Sequence, residues 1–155
     1  MNESLFDPNT FLEQTVTGAM DTKYPVIPAG EYPAISKSIA ARKMQNKDPT
    51  KGAYTVLDIV WSIDDAGVKE ATKLETPTCR QSVFLDLDAE GKLDTSETKN
   101  VQLGRLREAL GLNKPEDVFS FSQLVGQPAL VRIEHSPNPT DAENPYSNVT
   151  KVAQV

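Results

Sequence analysis

The sequence predicts a mostly β protein, a five-stranded barrel with one main α-helix between strands three and four, preceded by an N-terminal arm. Three observations carry this expectation. Short segments with period-two alternation of apolar residues recur along the 155 residues. Only residues 94–112 combine a helical apolar stripe with a start and a stop signal. The last thirty residues, Gly126 to Val155, read as two strands joined by the polar, proline-rich loop 136–145. That closing hairpin has a longer loop than stability requires, and such loops are a usual place for binding function.

Taken in order, residues 1–28 form the arm, with a few apolar anchors (Leu5, Phe6, Phe11, Leu12, Val16). Asp7-Pro8-Asn9-Thr10 can open a short helix reaching Thr17 and stopped by Gly18. Residues 29–155 form the predicted barrel domain. Its first strand runs from Glu31 to Lys43, with Ile35 and Ile39 assigned inward and Ala34, Ser36, Ser38 and Ala40 outward. A basic turn, Met44 to Gly52, leads to the clearest strand, Ala53 to Ile63. There Leu57, Ile59, Trp61 and Ile63 form the apolar parity, so Trp61 is expected in the core rather than as a stacking platform. Residues 68–76 read as a charged connection. The third strand, Thr78 to Asp88, points Cys79, Val83, Leu85 and Leu87 inward. Phe84 breaks the pattern on the outward side, either as partner to a second small core or as a binding aromatic.

The helix follows, with Asp94 and Glu97 spaced as a capping box, Leu103, Leu106 and Leu110 as its stripe, and Gly111 at its end. Residues 119–125 read as a short helical turn into the closing hairpin. The expected core adds Val131 and Ile133 to the inward residues above.

Composition narrows the chemistry. Cys79 is the single cysteine and His135 the single histidine, which excludes a disulfide framework and a cysteine-built zinc site. With nothing basic placed to activate it, Cys79 reads as a buried structural thiol. No long apolar run predicts a transmembrane helix and no signal peptide is visible, so a reducing cytoplasm is the expected setting. Net charge is −6, but unevenly spread. Residues 37–51 carry Lys37, Arg42, Lys43, Lys47 and Lys51 against Asp48 alone. One basic segment thus sits in an acidic protein.

Three strands, a helix and two strands is the element order of a five-stranded OB barrel. At this point the chain resembles the small phage-encoded single-stranded DNA-binding proteins with an OB fold. The residues carrying the resemblance are Gly30-Glu31-Tyr32, Leu57-Asp58-Ile59-Val60-Trp61, Gly104 to Leu112, Gly126-Gln127-Pro128-Ala129 and Tyr146-Ser147-Asn148-Val149. It covers about residues 30–155 and leaves the arm unmatched. The chain ends Lys151-Val152-Ala153-Gln154-Val155 rather than in the acidic tail through which many such proteins recruit partners. The resemblance implies sequence-tolerant binding of single-stranded DNA in phage replication or recombination, with phage proteins of those processes as further partners. A monomer or homodimer in the bacterial host cytoplasm is expected, with no membrane partner and no cofactor.

An OB barrel presents strands two and three to its ligand, flanked by the first and last loops. By alternation that face carries Tyr54, Arg80 and Phe84. Lys43, Lys47 and Lys51 line the first loop, and Arg132 and Tyr146 approach from the closing hairpin. Aromatic rings stack bases and cations follow phosphates. Asp58 and Asp86 share the outward parity and work against this.

Two other readings compete. Residues 86–97 place oxygens and Gly91 as in an EF-hand calcium loop, but the preceding segment alternates like a strand, and an acidic connection with a capping box accounts for the same residues. An acidic OB-fold protein-interaction module is the remaining alternative, since fold alone does not separate it from a DNA binder. No catalytic constellation is present, so an enzyme is not expected.

Overall fold

The computed structural model describes residues 6–22 and 25–155; Leu5, one of the expected anchors of the arm, lies outside them. The protein is mostly β. Five strands, β1 (Gly30–Met44), β2 (Tyr54–Ile63), β3 (Thr78–Leu85), β4 (Pro128–Ser136) and β5 (Tyr146–Ala153), close on themselves in the order β1-β2-β3-β5-β4. Three helices accompany them: α1 (Pro8–Leu12), α2 (Ala66–Thr72) and α3 (Val101–Ala109).

Closure depends on β1, which serves two neighbours. Its first part, Gly30 to Ile35, pairs with β4, and Ala34 to Met44 pairs with β2. Between these duties the ladder slips: Ser36 faces Trp61 but Ser38 faces Val60, so one residue is extra on β1. A bulge of this kind bends its strand and shifts the side-chain alternation by one. Ala34 and Ser36 point inward before it, and Ile39 packs on the core after it. The expectation that Ile35 shares the core with Ile39 is therefore overturned, and Ile35 is 47% exposed.

Ser36 makes the bulge affordable. Its Oγ donates to Leu124 O at 2.5 Å and accepts from the Gln127 N–H at 2.8 Å. Its own N–H donates to Gln127 O, and its carbonyl accepts from the Gly126 N–H at 2.7 Å. Gly126 has φ +81, a left-handed conformation that costs glycine little. The chain thus passes from a 3₁₀ turn (Phe121–Leu124) into β4 across the bulge, with each buried polar group of Ser36 satisfied.

The core is filled from β2 by Leu57, Ile59, Trp61 and Ile63, and from β4 by Ala129, Val131 and Ile133. Val83, Val149, Val68, Leu103, Leu106, Leu124 and Ile27 complete it. Trp61 is fully buried, as its parity predicts, and its indole N–H donates to Gln81 Oε1 at 2.9 Å. Leu85 and Leu110, expected inside, are partly buried against this cluster. Ile27 carries the chain into the barrel from the arm, where its carbonyl lies 2.7 Å from His135 Nε2.

All three helices differ from expectation, and α1 ends at Leu12 rather than reaching Thr17. The charged connection 68–76 gives way to α2. There Asp65 Oδ1 accepts the Val68 N–H at 2.9 Å, Val68 is buried, and Lys73 ends the helix at φ 60. α3 starts at Val101 rather than Asp94, because the preceding residues are held in turns. Asp94 Oδ1 accepts the Ser96 N–H, and the Asn100 side chain donates to the Asp86 and Asp94 carbonyls. Thr98 and Asn100 have positive φ, which a helix cannot continue. At the other end Gly111 (φ +73) closes α3 as expected, with the Leu112 N–H on Arg107 O.

Urea denaturation distinguishes the two sides of the bulge. Ile35→Thr is expected to change stability by no more than about 0.5 kcal/mol, as at an exposed site. Ser36→Ala strands the Gln127 N–H and is expected to cost about 1–3 kcal/mol. Equal losses in the two variants would contradict the assigned parity.

Candidate nucleic-acid interface

The outer face of β1, β2 and β3 has more chemistry than any other part of the barrel surface. Register places its side chains. On β2 the outward residues are Tyr54, Val56, Asp58 and Val60; their partners on β3 are Phe84, Ser82 and Arg80, and on β1 Met44, Arg42 and Ala40. Tyr54 and Phe84 meet diagonally across the strands with ring centroids 5.6 Å apart and planes tilted by 53°. This is a favourable geometry for aromatic pairs. Phe84 keeps 52% of its surface exposed.

Val56 explains why an outward Phe tolerates water. It is 1% exposed yet lies outside the core cluster, so outward side chains must cover it, and its ladder partners are Arg42 and Phe84. Of the two alternatives open for Phe84 from sequence, this packing supports the first, partnership in a second small core. Phe84 roofs a small outer apolar cluster and leaves much of its ring surface to solvent.

Asp58 stands at the centre of the face, 9% exposed. Arg42 Nε donates to it at 2.5 Å, the Ser82 hydroxyl donates at 2.9 Å, and Arg80 Nη1 lies 4.0 Å away. Burial alone would raise the carboxyl. The hydrogen bonds from Arg42 and Ser82, with the charges of both arginines, outweigh that and hold it below its ordinary value. The bond to Asp58 in turn raises the Arg42 guanidinium. Arg42 also touches Met44 Sδ. Two guanidinium groups face one carboxylate, so the centre of the face is not negative. Asp86, the other acid of this parity, accepts the Asn100 N–H at 2.8 Å and is engaged with the start of α3.

The first loop continues this face beyond Met44 and Tyr54. Asn46 and Asp48 build it: Asn46 Oδ1 accepts the Asp48 N–H, and Asp48 Oδ1 accepts both the N–H and the hydroxyl of Thr50. Lys47 and Lys51 are exposed on these turns, and neither is in an ion pair among the described residues. Lys43 is exposed too but pairs with Thr55, on the inward parity. Its neighbour Arg42 is the outward cation of β1, which the sequence reading passed over. The signal was there in the parity of Arg42, but its partner Asp58 is a diagonal neighbour that only the hairpin register reveals.

The closing hairpin contributes unequally. Tyr146, 51% exposed, opens β5 opposite Ser136. The bridge Arg80↔Asn148 brings it beside the start of β3, about 20 Å from Phe84 at ~3.3 Å per residue. Tyr54, Phe84 and the lysine loop thus sit at one end of the face, Arg80 and Tyr146 towards the other. Arg132 is not brought to this face. It lies on β4 between Glu31 and Lys151 in register, and its Nε pairs with Glu134 at 3.3 Å.

Other chemistries find less support. Burial pushes the Cys79 thiol up to about 11, out of range for a nucleophile at neutral pH. Among the described residues no three His, Cys, Asp or Glu side chains come together as metal ligands. In the 86–97 loop, Asp88 Oδ1 instead accepts the Glu90 and Lys92 N–H groups, and Leu87 bridges to Leu93.

The Asp58 cluster has a pH signature. Its folded carboxyl titrates below the ordinary 3.8, so its stabilisation is complete above that value and is lost as pH falls through the lower folded value. Asp58→Asn is expected to cost about 1–3 kcal/mol at neutral pH in urea denaturation and less in strong acid. A loss of constant size down to the acid limit would remove the carboxylate from this role. No known family model matches the chain, and no curated protein matches it.

Proposed function

We propose that the chain is an OB-type barrel that binds single-stranded DNA without strong sequence preference, along the outer face of β1, β2 and β3. The observation that carries the reading is the Tyr54–Phe84 pair, an aromatic platform with Phe84 exposed and Tyr54 half-buried, beside a loop whose Lys47 and Lys51 are in no ion pair among the described residues. Bases stack on such rings whatever their identity, while cations track the phosphates. Arg42, Arg80, Lys47 and Lys51 supply the cations. Neutralisation of Asp58 removes the main electrostatic objection. The strand order β1-β2-β3-β5-β4, with a helix between the third and fourth strands, supports an OB-type reading, in which this face would meet the ligand. A role in protecting or organising single strands during phage replication or recombination would follow, and Tyr146 would extend the path at its far end.

Fluorescence anisotropy with labelled oligo-dT and a matching duplex across a salt series tests this. The single strand is expected to bind more tightly than the duplex. Phe84→Ala is expected to cost about 1–3 kcal/mol at every salt concentration. Lys47→Ala with Lys51→Ala is expected to lower the salt slope by about 1.4, at ~0.7 per lost phosphate contact. No binding at low salt overturns the proposal and leaves an acidic protein-interaction module as the reading.

A further inference from the structure

A second surface lies at the seam where the sheet closes. β3 and β5 share a single bridge, Arg80↔Asn148, and beyond it their ladder stops. α3 covers part of the gap. Gln102 Oε1 accepts the Phe84 N–H at 3.0 Å, and Asn100 Oδ1 accepts the Asp86 N–H at 2.8 Å. Between the bridge and these caps, Ser82 lines an open groove of about 730 Å³, a volume typical of occupied pockets. Beneath it lie the buried core residues Val83, Leu106 and Val149. The groove is lined by Arg105 and Lys151 and by no acid, in a chain where acids outnumber bases. Neither cation is in an ion pair among the described residues.

The arm has the opposite character. From Phe6 to Thr22 all residues are exposed, with Phe6 at 64% and Leu12 at 81%. Asp7, Glu13 and Asp21 lie in this stretch and no base does. An exposed apolar series of this kind marks a contact site. One chain therefore carries an acidic apolar strap and an acid-free groove, and among the described residues of a single chain neither covers the other.

We propose that the arm of a second copy of this chain docks in the groove, burying Phe11, Leu12 and Val16 there and setting Glu13 and Asp21 near Arg105 and Lys151. The extended stretch after α1 can lie along the β3 edge at Ser82 as an added strand. The contact joins two different surfaces, so each copy offers one arm and one groove, and association either runs head to tail or closes by mutual exchange of arms. The dock borders the outer face at Ser82 but uses neither Tyr54 nor Phe84, so its test by association is separate from that of nucleic-acid binding.

Sedimentation equilibrium of the full chain at rising concentration is the test. The mean mass is expected to climb above the 17.0 kDa of one chain, and to climb less in high salt. Arg105→Glu with Lys151→Glu is expected to weaken association about tenfold or more, and Glu13→Lys with Asp21→Lys to do the same. An equimolar mixture of the two reversed variants is expected to associate again. All four positions are exposed, and circular dichroism checks that each variant keeps its fold. A chain that sediments as a monomer at all concentrations, which would include docking of its own arm, overturns the proposal. So does association indifferent to both reversals, or a mixture that fails to recover.

Discussion

The bulge in β1 is the constraint on which the rest of the structure depends. A strand that pairs with β4 in its first part and β2 in its second must bend, and one extra residue provides the bend. The residue beside the slip is forced inward among apolar neighbours. Serine fits there because it is small and can serve both the Leu124 carbonyl and the Gln127 N–H. Those two bonds hold the 3₁₀ turn against β1 and set where β4 begins. Through β4 they also set β5, and so the seam with β3.

The outer face depends on the same register. Once Arg42 stands opposite Val56, its guanidinium reaches the Asp58 carboxylate diagonally, and Arg80 approaches it from the far strand. A buried acid on the outer face of a sheet would otherwise be costly and would repel phosphate. Here it orders two cations that share it, and its own charge is spent inside the protein. The consequence is spatial: these contacts order Arg42 beside the aromatic pair and Arg80 further along the same face.

The seam shows what partial closure leaves behind. A barrel with a full ladder between β3 and β5 would have no free edge there. In this protein side chains of α3 replace part of the missing ladder and a groove remains where they do not reach. The open edge and the exposed arm are two unpartnered features of one chain, which is why a second copy is the occupant proposed for it.

The sequence by itself determined the strands, the place of the main helix, the buried Trp61 and the outward parity of Tyr54, Arg80 and Phe84. Each rests on a period of two or on local start and stop signals, which neighbouring residues carry. It did not determine the side on which Ile35 lies, since a bulge is invisible in alternation until a partner strand counts the residues. Nor did it determine α2 or the late start of α3, where capping by Asp65 and the competition of Asn100 for the Asp86 and Asp94 carbonyls decide the outcome. The removal of Arg132 from the face and the addition of Arg42 were likewise tertiary decisions. Both depend on which strands are neighbours around the closed sheet, and distance along the chain carries no information about that.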